Sequence, residues 1–159
     1  MRRQTKRGFR RSGITVLLAT VLVGCGGGTS EGGGLRDGVY TFELSEAYLR
    51  DNGIPPRQAR IESGLHEVTL DRGSFVDRWR DAGGAVGVCV GVFRVDGARA
   101  VFRWTDGCTG DWAMTYSIDG DSVVWSDFEP LDPDAGPEGR RLAEVFNGVP
   151  WTRTGDVSH

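Results

Sequence analysis

The stretch Cys89-Val90-Gly91-Val92-Phe93-Arg94-Val95-Asp96-Gly97-Ala98-Arg99-Ala100-Val101-Phe102-Arg103-Trp104 decides the fold. Residues alternate in character on both sides of Asp96-Gly97, and an Asp-Gly pair between two alternating runs is a strong short-range signal for an antiparallel hairpin. A two-residue turn at Asp96-Gly97 pairs Val95 with Ala98, Phe93 with Ala100, Gly91 with Phe102 and Cys89 with Trp104, all on one face. Arg94, Arg99 and Arg103 fall on the opposite face, which therefore meets water.

The same pattern extends in both directions. Around Asp119-Gly120, the residues Trp112, Met114, Tyr116 and Ile118 oppose Val123 and Trp125. Upstream, Tyr40, Phe42 and Leu44 alternate in a first strand, Val68 and Leu70 in a second, Phe75 and Trp79 in a third, each with a polar opposite face. Two segments interrupt the alternation. Ser45 can cap a short helix running through Arg50, and Pro55-Pro56 can open a second that stops near Gly64. After a Pro/Gly/Asp loop from Asp132, residues Glu138 to Phe146 offer the apolar face Leu142, Val145 and Phe146, and Pro150-Trp151-Thr152-Arg153 reads as a last strand. The expectation is a mostly β fold: about eight antiparallel strands in up-and-down order, with a helix-turn-helix insertion after strand one and a short helix before the last strand. Closure into a barrel removes the exposed edges of an open sheet.

Four segments taken in order, Asp37-Gly38-Val39-Tyr40, Phe93-Arg94-Val95-Asp96-Gly97, Ser117-Ile118-Asp119-Gly120-Asp121 and Pro150-Trp151-Thr152-Arg153, carry a family likeness. Together they resemble the lipocalin-like (calycin-type) β-barrel of actinobacterial lipoproteins, and they are similar to the C-terminal module of some actinobacterial ABC-transporter solute-binding proteins. The resemblance spans about residues 35–154. It implies a cup with a lid, in which the helix pair between strands one and two takes the place of the portal of fatty-acid-binding proteins.

The N-terminus supplies an address. Arg2, Arg3, Lys6, Arg7, Arg10 and Arg11 form a basic region, and Ile14 to Val23 an apolar run of ten residues, too short to cross a hydrocarbon core of roughly 30 Å. Leu22-Val23-Gly24-Cys25 resembles the bacterial lipobox, in which the cysteine receives acyl chains and becomes the first residue after cleavage. The expected organisation is a lipoprotein signal peptide over 1–25 ending at lipidated Cys25, a Gly-rich tether over 26–34, a barrel domain over 35–154 and a disordered tail over 155–159. The expected location is the outer face of the cell membrane, with the bilayer as partner through Cys25.

Charge narrows the partners. Residues 1–25 hold six of the 19 Lys and Arg and none of the acids, so 13 basic residues face 22 acidic ones in the remainder, a net charge of −9. Nucleic acid is excluded as a partner, because its binding needs clustered cations that displace counterions. Lys6 is the only lysine, which leaves the domain none for a Schiff base or a phosphate loop. With Cys25 assigned to lipid, Cys89 and Cys108 remain as an expected disulfide. Cys108 follows Trp104 by four residues, which puts both sulfurs at one end of the sheet.

Catalytic signals are sparse. His66 shares a face with Val68 and Leu70, so it either points inward as a polar anchor or a haem ligand or is an ordinary satisfied or rim histidine, and Asp77 lies between Phe75 and Trp79 on their face. A catalytic reading requires a second titratable group beside one of them. The acids Asp127, Glu129, Asp132, Asp134 and Glu138 lack the spacing and turn glycine of a calcium loop, and no His/Cys cluster has zinc spacing. No metal or cofactor is expected. The inward aromatics read either as a ligand cavity or as the packing of a filled barrel. The small inner residues Gly91, Val95 and Ala100 leave room beside Phe102 and Trp104. The leading expectation is a non-catalytic module that binds a small apolar or amphipathic molecule among Phe75, Asp77, Trp79, Phe93, Phe102, Trp104, Met114, Tyr116 and His66. The alternative is an accessory lipoprotein with a filled barrel that acts with a transport or cell-envelope partner.

Overall fold

The computed structural model describes residues 34–158. The expected signal peptide, Cys25 and all but the last residue of the tether lie outside them, as does His159. The described chain runs β1 (Gly38–Leu44), α1 (Glu46–Asp51), α2 (Pro56–Glu62), β2 (Gly64–Asp71), β3 (Ser74–Arg80), β4 (Val86–Asp96), β5 (Arg99–Asp106), β6 (Trp112–Asp119), β7 (Ser122–Pro130), α3 (Gly136–Asn147) and β8 (Trp151–Gly155). The eight strands form a closed antiparallel barrel in sequence order, sealed where β8 pairs with β1. Both helical insertions stand where the sequence places them.

The barrel has two unlike ends. At one, the β2–β3, β4–β5 and β6–β7 connections are tight turns, and β1 begins and β8 finishes there. Leu35 is fixed at this end by its backbone N–H, which donates to Tyr116 Oη at 3.1 Å. At the other end lie the helix pair α1–α2, residues 81–85, residues 107–111 and α3.

The turn chemistry corrects one expectation. Asp96 pairs with Arg99 and Asp119 with Ser122, so the central residues are Gly97-Ala98 and Gly120-Asp121 rather than the Asp-Gly pairs. Gly97 and Gly120 both have φ of 59° and the residues after them do not, which is the II′ pattern with glycine at the first central position. Relative to the expected hairpin, the register moves by two residues: Phe93 faces Phe102 and Gly91 faces Trp104. An even shift keeps every side chain on its face, so the inward set survives. Cys89 does not face Trp104, whose partner is Gly91; it lies beyond the last β4–β5 pair, Val90 with Asp106, and pairs with Asp77 on β3.

Inside, Tyr40, Leu44, Val68, Leu70, Phe75, Phe102 and Met114 are buried in one apolar core. Fully burying each such side chain contributes about 1.5–3 kcal/mol. The helices cap it through local chemistry. Ser45 Oγ accepts the Tyr48 N–H at 3.0 Å as N-cap of α1, and Pro56 opens α2 where a missing N–H costs nothing. Helix α3 packs on β7 beyond Val123, where β8 no longer pairs with it. The insertions are tied together at this end: Tyr48 Oη donates to the Val145 carbonyl at 3.1 Å, and Arg141 Nη2 to the Gly53 carbonyl at 2.9 Å. Among the described residues no helix is long and apolar enough to cross a membrane.

Candidate functional site

A cavity of about 390 Å³ opens at the helical end, within the size range of small-molecule sites. Its floor includes Phe75, Phe102 and Met114, and its walls include Trp79, Trp104, Trp112 and Trp151. The rim comes from Gln58 and Glu62 on α2, from Gly107, Cys108 and Thr109, and from Leu142, Phe146 and Asn147 on α3. The barrel is therefore not filled by its own side chains. The room expected at Gly91 is not part of the cavity: a Cβ at Gly91 would collide with the Phe75 ring, so Phe75 fills that space. Gly87 likewise leaves its place to the Trp79 ring, which lies flat against β4.

Of the residues singled out in the sequence, Phe75, Asp77, Trp79, Phe102, Trp104, Met114 and His66 line this cavity. Phe93 and Tyr116 do not. They face inward but sit at the turn end, where Phe93 stacks on Phe102 at 5.7 Å and Tyr116 Oη donates to the Gly97 carbonyl at 3.0 Å. Val95, two residues from Phe93 toward the turn, is exposed. Alternation identifies a face, whereas height along the barrel depends on where each turn falls.

His66 is 3% exposed and anchors the polar side of the cavity. Its Nδ1 lies 3.2 Å from both carboxylate oxygens of Asp77, and its Nε2 3.1 Å from the Glu62 carbonyl. Both ring nitrogens are therefore within hydrogen-bond reach of an oxygen. The two ring faces are covered as well. Phe42 stacks on one at 4.6 Å and 12°, and Trp79 lies against the imidazole at 5.3 Å and 14°. Trp151 extends the ladder beyond Phe42 at 5.2 Å and 4°. These four rings come from four neighbouring strands, β3, β2, β1 and β8, and each such contact is worth about 0.5–1.5 kcal/mol beyond area burial. With both nitrogens engaged and both faces covered, His66 has no free position for haem; it is the polar anchor.

The ladder also seats the lid. The Trp79 indole N–H donates to the Ile61 carbonyl at 3.0 Å, beside the His66 bond to Glu62. The two last carbonyls of α2, orphaned by the helix end, are thus satisfied by barrel side chains. That seating presents the Glu62 carboxyl to the cavity. Burial pushes its pKa above the ordinary glutamate value, with His66 opposing and Asp77 reinforcing the shift. Trp151, 4% exposed, has its indole N–H buried without a hydrogen-bond partner among the described residues.

On the rim, the Cys89–Cys108 disulfide is formed, with a Cα separation of 5.4 Å. It fastens residues 107–109, which form part of the mouth, to the wall strand β4. No group of three or more His, Cys, Asp or Glu side chains among the described residues is arranged to hold a metal, and the acidic stretch after Asp127 forms no such site there. No family model matches the chain, nor does any curated protein or solved structure.

Sequence reasoning missed Glu62, Gln58 and Asn147. They sit on helices, and only tertiary docking brings them over the barrel. Trp112 is legible as an inward residue and Trp151 as part of the last strand, but nothing local marks either as a cavity wall.

Proposed function

We propose that this chain is a membrane-tethered extracytoplasmic lipoprotein whose barrel is a non-catalytic binding module for a small apolar or amphipathic molecule. The observation that carries the binding part is the cavity itself: an apolar, aromatic-walled space with a few polar groups converging at its rim. His66 and Asp77 meet the geometric condition for a catalytic pair, yet they satisfy one another and the end of α2. Neither imidazole nitrogen remains for a substrate proton, which favours binding over catalysis. The tether rests on the basic and apolar N-terminal runs that end at Cys25.

Native mass spectrometry of the full chain, expressed in an oxidising compartment and released from detergent, tests the binding module. A stoichiometric small-molecule adduct is expected. A clean apo mass, together with no uptake of an apolar fluorescent dye, overturns the reading. For the anchor, Cys25→Ser moves the protein from the detergent phase to the aqueous phase; a variant that stays with detergent removes the lipid assignment.

A second reading, an interaction lipoprotein acting with a transport or envelope partner, is favoured by one feature. Leu65 and Val86 flank Arg80 on the outer face and are 59% and 56% exposed; Val88 on β4 and Ile61 on α2 are also exposed. Exposed large apolar side chains gathered on one side of the barrel favour a contact role.

A further inference from the structure

We propose that the cavity discriminates by charge, taking an amphiphile whose polar head is a protonated amine and rejecting the matching carboxylate. This rests on the binding-module reading and names the chemistry of its ligand. The charged and titratable side chains of the lining are Glu62, Asp77 and His66, and neither arginine nor lysine is among the lining residues. Asp77 and His66 form a pair, in which a charge on one answers a charge on the other. Glu62 is left over. It makes no ion pair among the described residues, although it is drawn partly out of water at the mouth.

A carboxylate in that position is costly to leave uncompensated, and a cation brought by the ligand supplies the missing partner. The aromatic surroundings act in the same direction. The rings of Trp104 and Trp112 line the cavity, and an ammonium or guanidinium within about 6 Å of an indole face is attracted by its quadrupole. An anionic head meets the opposite situation: it gives up its hydration beside Glu62 and the Asp77–His66 pair and finds no unpaired cation in return. The apolar floor of Phe75, Phe102 and Met114 accepts the tail of either molecule equally, so the head decides.

A matched series isolates the head. Octylamine, octanol and octanoate are titrated into the full chain at neutral pH and low salt, with calorimetry and tryptophan emission as readouts. Octylamine binds at least about tenfold tighter than octanoate, with octanol between them. Glu62→Gln removes most of the advantage of octylamine over octanol, and added salt weakens octylamine more than octanol. Equal affinities, or a preference for octanoate, overturn the charge assignment while leaving the cavity a binding site. If none of the three binds, the binding-module reading fails and this inference fails with it. An octylamine preference that survives unchanged in Glu62→Gln also overturns the role given to Glu62.

Discussion

The two ends of this barrel are closed by different physics. At the turn end, each of three connections uses two residues with glycine at positive φ, and a few neighbouring residues specify each turn. At the helical end, closure depends on partners far apart in sequence: Tyr48 with Val145, Arg141 with Gly53, Trp79 with Ile61, and Cys89 with Cys108. A local device sets strand pairing, whereas non-local fastenings hold a rim that can vary without rewriting the barrel. This division is common where a rigid scaffold positions loops that bind.

The sharpest way to break the helical end is His66→Ala. It leaves the half-buried Asp77 without its partner, frees the last carbonyl of α2 and opens the ring ladder, so a loss of about 3–5 kcal/mol is expected in urea denaturation. Amides of the buried, paired residues Phe102 and Tyr116 near the turn end are expected to stay among the slowest to exchange in the folded variant; equal loosening of both ends would erase the contrast. Next comes removal of the disulfide by Cys89→Ser with Cys108→Ser, expected to cost on the order of 3 kcal/mol for a loop of 19 residues. Its distinguishing readout is ligand affinity, which falls because residues 107–109 no longer hold the mouth.

At the turn end, Gly97→Ala or Gly120→Ala is expected to cost about 1–2 kcal/mol, because alanine is strained at φ of 59°. Cavity binding should persist, and its loss would show that the ends are coupled. The smallest effect belongs to Glu62→Gln. Burial raises the Glu62 pKa, so its stabilising contribution is full in acid, where it is protonated in both folded and unfolded chains, and is lost as pH rises through the folded value. The glutamine variant should therefore melt higher than the parent at neutral pH, and the two melting curves should converge in acid.

The same division explains what the sequence reveals. Strand identity and inward faces follow from alternation in Tyr40-Phe42-Leu44, His66-Val68-Leu70 and Phe75-Asp77-Trp79, and α1 and α2 from Ser45 and Pro56. The hairpin register is off by two because aspartate was given a central turn position that glycine fills with alanine or aspartate after it. The site is legible only where it lies on strands. Its floor and ladder emerge from alternation, but Glu62, Gln58 and Asn147 depend on helix docking that no local pattern encodes. The heights of Phe93 and Tyr116 were likewise hidden, since period two is blind to distance along the barrel axis.

Because β1 enters and β8 leaves at the turn end, anything that grips the chain ahead of Leu35 grips the foot of the cup. The mouth between α2, α3 and residues 107–109 is turned the opposite way. Under the proposed anchor at Cys25, a molecule dissolved in the surrounding medium has a direct path in, whereas one embedded in the bilayer has to leave it before it enters.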